Sequence, residues 1–281
     1  GEAGGDISGW RDSVSLSSDG SRVAIGAIYN NGNGSDSGHV RIYDYNGSAW
    51  VQVGADIDGE AADDKSGISV SLSSDGSRVA IGSEKNQENG SDSGHVRIYD
   101  YTPSGTSSWT QVGGDIDSET PGDNSGHIAL SSDGSRVAIG GPYNDGGGNN
   151  SGHVRIYDYN GSAWVQVGAD INGEAGGSRI GDLSGFSVSL SSDGSRVAIG
   201  AHTNDGTSGN ENDNRGHVRI YQYNNNSWSQ LGADIDGEAA GDASGYSVSL
   251  SSDGSRVAIG AYGNDGGGDS AGHVRIYDYN G

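Results

Sequence analysis

Residues 67–82 read Gly-Ile-Ser-Val-Ser-Leu-Ser-Ser-Asp-Gly-Ser-Arg-Val-Ala-Ile-Gly, and the fold follows from this stretch. From Ser69 to Ser73 polar and apolar residues alternate. That is the period of a strand, with Val70 and Leu72 on one face. Asp75-Gly76 is the dipeptide of a two-residue type I′ hairpin turn, which needs positive φ at both central residues. Arg78 to Gly82 then returns as a second strand with Val79 and Ile81 inward. After a loop rich in Gly, Asn and Asp, His95 to Tyr101 (HVRIYDY) predicts a third strand. It puts Val96 and Ile98 on one face and His95, Arg97, Tyr99 and Tyr101 on the other. Trp109 to Gly113 (WTQVG) predicts a fourth.

The pattern recurs. SSDGSRVAIG begins at Ser17, Ser73, Ser131, Ser191 and Ser251, at intervals of 56, 58, 60 and 60 residues. GHVRIY occurs five times, with its histidines at His39, His95, His153, His217 and His273, and W-x-Q-[VL]-G starts at Trp50, Trp109, Trp164 and Trp228. Four short antiparallel strands per repeat, without a helical period, fit a propeller blade better than a solenoid coil, which is shorter and lacks hairpin turns. The expectation is an all-β, five-bladed β-propeller with four-stranded antiparallel blades. It forms one domain over 1–281, with blades near 10–57, 66–116, 125–171, 184–235 and 244–281. Gly1 to Gly9 matches the inter-blade loop Gly237 to Gly245, and the chain stops at Gly281 before a fifth W-x-Q-V-G. The last blade is therefore expected to lack its outer strand, leaving the Gly272–Tyr279 edge to self-assembly or to the rest of a longer protein.

The composition matches this reading. Fifty-three glycines at fixed places between Val-, Ile- and Tyr-rich runs supply turns rather than disorder. Thirty-eight acidic residues against 15 Lys and Arg give a formal charge of −23. Such a surface repels nucleic acid and anionic lipid, and it suits divalent cations. With no cysteine the chain has neither disulfides nor thiolate metal sites, and no apolar run is long enough for a membrane-spanning helix.

Gly185 to Leu190 (GFSVSL), Arg196 to Ala201 (RVAIGA) and Gly216 to Tyr221 (GHVRIY), with their Gly- and Asp-rich loops, resemble the FG-GAP repeats of integrin-α-like propellers along essentially the whole chain. The SSDG turn also resembles the hairpin of TolB-type repeats. The resemblance implies a propeller, more often of seven blades than five, with adhesion, lectin, scaffold and enzyme roles all hosted by such folds. The calcium loop that FG-GAP repeats often carry between their first two strands has no counterpart in the tight Ser74–Ser77 turn.

The best candidate site is the inter-blade loop. Asp56, Asp58, Glu60 and Asp64 stand at relative positions 1, 3, 5 and 9, as do Asp115, Asp117, Glu119 and Asp123, and Asp234, Asp236, Glu238 and Asp242. After the third blade Asn172 replaces one Asp, and an insertion displaces Asp182. Alternating oxygen ligands of this kind build short calcium loops, although glycines (Gly67, Gly126, Gly245) occupy position 12, where a bidentate acid would sit. The competing reading is that these carboxylates cap their own loops. The five strand histidines and five strand arginines are expected to pack and pair between blades, because a catalytic His needs a unique partner rather than copies. Acids that repeat with the blade offer equivalent environments and no means of separating two pKa values. The sequence thus predicts an extracellular, non-catalytic propeller for adhesion, ligand binding or assembly, with Ca²⁺ as the candidate cofactor and protein or glycan ligands at its loops. A multivalent lectin is the alternative, and a glycosidase-like enzyme ranks behind both.

Overall fold

The computed structural model describes residues 3–103, 108–174, 181–206 and 213–280. These residues form strands, turns and loops without a helix, so no helix is long and apolar enough to cross a membrane. The first sheet runs Val14–Leu16, Arg22–Ala27, His39–Tyr45, Trp50–Gln52. The second contains Ser69–Leu72, Arg78–Ser83, His95–Thr102 and Ser108–Gln111; the third His127–Leu130, Arg136–Gly141, His153–Tyr159 and Trp164–Gln166. The fourth contains Ser187–Leu190, Arg196–Ala201, His217–Asn224 and Ser227–Gln230, and the fifth has three strands, Ser244–Leu250, Arg256–Ala261 and His273–Asp278. Each of the first four sheets carries a further two-residue strand that the sequence did not signal: Ile57–Asp58, Ile116–Asp117, Ile171–Asn172 and Ile235–Asp236, each on the third strand of its sheet.

The hairpin between the first two strands differs from the expected type I′ turn. Gly76 has φ +69°, but Asp75 is not among the residues with positive φ. The Gly76 N–H donates to Ser73 O at 2.9 Å, and Ser73 N donates to Arg78 O at 2.9 Å. The connection is therefore a four-residue loop around an ordinary turn, closed by a left-handed glycine. The flanking serines explain the change. Asp75 Oδ1 accepts from Ser73 Oγ at 2.7 Å, Ser77 N at 2.9 Å and Ser77 Oγ at 2.8 Å, so the side chain ties down the loop that its backbone would otherwise have to twist.

The chain divides into two compact units, residues 1–137 with 158–165 and residues 138–157 with 166–281. In the first, Val70 pairs with Ile81 and Leu72 with Val79. Their side chains join Ala24, Val40, Ile42, Ile57 and Tyr99 in one core between the first two sheets. The middle strand is covered on both faces: Val79, Ala80 and Ile81 are all buried. Small residues allow this. A Cβ on Gly82 would collide with the carbonyl of Gly126, so only glycine permits the approach. Adjacent sheets are also stitched by polar contacts. Leu72 N donates to Ser15 Oγ at 2.9 Å and Leu130 N to Ser71 Oγ at 3.0 Å. The Trp109 indole donates to Val53 O at 2.9 Å. Arg22 grips Asp44 with two bonds of 2.6 and 2.8 Å, donates to Gly76 O of the next sheet at 2.8 Å, and stacks over Tyr101.

The second unit repeats the scheme. Ala198, Val218, Val257 and Ile259 form its core, with Leu250 N donating to Ser189 Oγ at 3.0 Å, Arg196 to Gly254 O at 2.9 Å, and Trp228 to Val167 O at 2.9 Å. Val274 and Ile276 of the last strand are exposed.

Candidate functional site

The acidic loops owe their spacing to the short strands. Asp58 pairs with His39 and Ile57 with Val40, so Asp56 and Asp58 alternate as strand residues do, rather than wrapping a point. The four acids accordingly take different partners, although ligand oxygens of Asp56 and Asp58 stay within 4.8 Å of each other and of His39. Asp56 accepts two bonds of 3.0 Å from Arg41 and one of 2.6 Å from Gln52. These bonds outweigh its partial burial, which acts upward, and hold its pKa below the usual value. Asp58 is exposed. Glu60 reaches the next sheet. Asp64 turns inward and caps its own loop, accepting from Glu60 N at 3.1 Å and Ala61 N at 2.9 Å.

The other copies are arranged alike. Asp115 accepts from Gln111 and Asp234 from Gln230. Asp117 and Glu119 are exposed. Buried Asp123 accepts from Ser118 Oγ and Thr120 Oγ1, each at 2.6 Å. The Asp236 carbonyl accepts from Arg275, and Glu238 lies 3.6 Å from the Arg275 guanidinium. Asp242 accepts from Glu238 N and Ala239 N, each at 3.0 Å. The acid at position 9 is thus a capping group in all three loops.

Positions 1 and 5 meet the strand histidines instead. His95 is fully buried, with its Nδ1 3.6 Å from Asp115 Oδ2 and 3.9 Å from Glu60 Oε2. Burial, and then the neighbouring Arg97 cation, push its pKa down to about 4, so the ring is neutral at pH 7. Glu60 is shifted upward by its own burial and by the nearby Asp115, Glu88 and Asp64 charges, against the pull of Arg97. In the second unit His217 is pushed down to about 4 by burial and Arg219, with Asp234 Oδ2 at 3.9 Å and Glu174 close by. His39 with Asp56 and Asp58, and His273 with Glu238 and Asp242, form further groups of metal-ligating types. The sequence treated these histidines as packing residues because it did not reveal the two-residue strand that sets the carboxylates opposite them.

A second feature lies at one end of the inner strands. The SVSLSSDGSRVAIG run is nearly constant among the copies, but two flanking positions are not. The residue after the loop glycine is Trp10, Ile68, His127, Phe186 or Tyr246, and the first residue past the second strand is Ile28, Glu84, Pro142, His202 or Tyr262. Antiparallel pairing of Ser187 with Gly200 brings the two positions together. In the second unit they form a continuous aromatic run. Phe186 lies 4.2 Å from His202 and 5.1 Å from Tyr246 between ring centroids, and Tyr246 lies 4.7 Å from Tyr262, edge to face. Tyr262 is 59% exposed, while Phe186 and Tyr246 are half-buried. In the first unit Trp10 and Tyr29 lie 6.4 Å apart, with the Lys65 ammonium 5.4 Å above the Tyr29 ring. These positions are marked in the sequence as the places where otherwise constant repeats differ.

No family model matches the chain, so the resemblance to FG-GAP repeats has no support beyond the propeller fold itself. No curated protein matches either. Solved structures do. A periplasmic gluconolactonase from Pseudomonas aeruginosa matches at 17% identity and a TM-score of 0.58, over 88% of this chain and 63% of that one. A putative 6-phosphogluconolactonase from Bacteroides uniformis matches at 14% and 0.52, over 80% and 55%. The β-propeller domain of the Trilobed protease from Pyrococcus furiosus matches at 12% and 0.50, over 95% and 68%. The chain therefore spans 63% and 55% of the two lactonase chains. At these identities the likeness shows the fold: the chain is a β-propeller, and its five sheets are the blades.

One expectation is corrected by these matches. The sequence predicts a non-catalytic protein, with an enzyme ranked last, yet two of the similar propellers are named as lactonases, so the architecture does not exclude an enzyme. The conclusion that no two acids could be set apart does not follow either. Two acids need not come from different blades to differ, since the Glu60 carboxyl is shifted upward and that of Asp56 downward within one loop.

Proposed function

We propose that this propeller binds a neutral saccharide, or a sugar lactone, against the aromatic run of Phe186, Tyr246 and Tyr262. The observation that carries the reading is the run itself. Aromatic side chains stand in contact at positions free of the packing demands that hold the rest of each blade constant. Flat, partly exposed rings stack on the C–H faces of sugars. The formal charge of −23 weighs against phosphorylated or polyanionic ligands. The gluconolactonase neighbour, named for a neutral sugar lactone, lends support of the same kind. The proposal includes a setting outside the cytoplasm, in keeping with the periplasmic neighbour; recovery of the native protein from the cytoplasmic fraction would count against it.

A glycan array followed by calorimetry on the whole chain tests the binding. One saccharide per chain is expected, with affinity lowered about tenfold or more in Tyr246→Ala, a change of about 1.4 kcal/mol. The same panel includes gluconolactone, with acid release followed to detect turnover. Silence across the panel, or binding indifferent to both Phe186→Ala and Tyr246→Ala, would end the reading.

A further inference from the structure

The second blade contains a group whose parts explain one another only if something sits between them. His95 has 0% exposure, and neither of its ring nitrogens has a hydrogen-bond partner. Its Nδ1 faces Asp115 Oδ2 at 3.6 Å and Glu60 Oε2 at 3.9 Å. Those separations are too long for hydrogen bonds. They are close to the spacing of two donors sharing one ion, since ligands about 2.1 Å from a tetrahedral centre stand about 3.4 Å apart. Donor atoms of Glu60, Glu88, His95 and Asp115 all lie within 4.8 Å of one another.

The carboxylates are also positioned as ligands are. Glu60 and Asp115 each have one oxygen anchored and the other turned to the imidazole. Arg97 lies 3.2 Å from Glu60 Oε1 and is itself fixed by a 2.9 Å bond from Nη2 to the Asp58 carbonyl. Gln111 donates to Asp115 Oδ1. Supporting contacts of this kind orient metal ligands and fix their free lone pairs. Three carboxylates against one guanidinium leave two negative charges in excess around a neutral imidazole, which a divalent ion would balance.

The repeats supply an independent observation. Glu88 stands two residues after Asn86, and its N–H donates to Asn86 Oδ1 at 3.0 Å. The same turn occurs in the other blades, where the corresponding residues are Gly32, Gly146, Gly206 and Gly266, each donating to the Asn two residues before it. Four copies have glycine and the second blade alone has a carboxylate, which comes within reach of His95.

We propose that His95, Glu60, Glu88 and Asp115 form a binding site for one divalent transition-metal ion of the zinc class. An imidazole nitrogen among carboxylate oxygens suits zinc, cobalt or manganese better than calcium, which takes oxygen ligands. The site differs from the calcium loop expected from the sequence, since it excludes Asp64 and draws its ligands from two blades. It is independent of the saccharide proposal.

The test is calorimetric titration of the whole, chelator-treated chain with Zn²⁺ and with Ca²⁺, and a parallel titration with Co²⁺ followed by its visible absorption. One Zn²⁺ per chain is expected to bind more tightly than any Ca²⁺, with a Co²⁺ band typical of four-coordinate nitrogen and oxygen ligation. Glu88→Gly restores the residue that the other four blades carry in the same turn, so it should fold; its affinity should fall at least about tenfold. His95→Gln should abolish the cobalt band, while His39→Gln should leave it intact. Absence of Zn²⁺ binding, calcium preferred over zinc, or an affinity unchanged in Glu88→Gly would each overturn the proposal.

Discussion

Replacing Ser71 with alanine tests how neighbouring blades are held together. Ser71 Oγ accepts the N–H of Leu130 at 3.0 Å, a residue only 9% exposed, in a contact repeated at Ser15 with Leu72 and at Ser189 with Leu250. In Ser71→Ala the strand N–H of Leu130 loses its acceptor. A buried donor left without a partner costs about 1–3 kcal/mol. For a chain of this size each kcal/mol lowers Tm by about 2–4 °C. The melting temperature should therefore fall by several degrees, with a matching loss in urea unfolding. The repeat supplies its own control. Ser249 occupies the same position in the last blade and is exposed, so Ser249→Ala should change stability by no more than about 0.5 kcal/mol. Equal effects from the two substitutions, or none from Ser71→Ala, would show that the serine hydroxyls do not join the blades.

Other outcomes follow from the same geometry. Gly82→Ala forces a methyl group into the Gly126 carbonyl and should destabilise by about 2 kcal/mol or more, read by thermal melting; a neutral result would mean the close approach is not maintained. His95 and His217 titrate near 4 in the fold against 6.5 in the unfolded chain, so the unfolded chain gains their protons first as pH falls. Stability should be intact above pH 6.5 and decline between 6.5 and about 4, by up to roughly 3 kcal/mol for each ring. A Tm constant from pH 7 to 5 would contradict this. The turn carboxylates of Asp19 and Asp253 are held down to about 2, first by the backbone N–H of Ser21 and by the Ser251 hydroxyl respectively. Their contribution is present at neutral pH and should vanish only between pH 4 and 2, visible as a second acid transition.

Much of the architecture was legible because the repeat is so regular. Alternation in Ser69–Leu72 and Arg78–Ser83 gave the strands and their inward faces, and the register Val70–Ile81 agrees with it. The Asp-Gly turn was misread because propensity for a type I′ turn ignores the two serines that bind the Asp75 side chain. The strands of the D-I-D segment escaped notice since two residues are too few for a period. Their alternating acids imitated the spacing of a calcium loop, and His95 lost its significance once its carboxylate partners were assigned elsewhere. Glu88 could have been found from sequence, as the single departure from glycine at that point of the turn.

The serine-to-leucine bond also bears on how the chain assembles itself. Ser15, Ser71 and Ser189 each accept a leucine amide, from strands reading SVSL at Leu72 and Leu250 and HIAL at Leu130, so the hydroxyl-to-amide bond by itself cannot tell one blade from another. A folding chain could seat the wrong neighbour at little energetic penalty, the hazard of all tandem copies. Correct order must then come from tether length, with repeats offset by 56 to 60 residues favouring the adjacent copy, and from the few residues that give each blade its own label, such as Ile68, Phe186 and Tyr246. The side chains proposed to recognise a ligand would thus also help the chain to recognise itself.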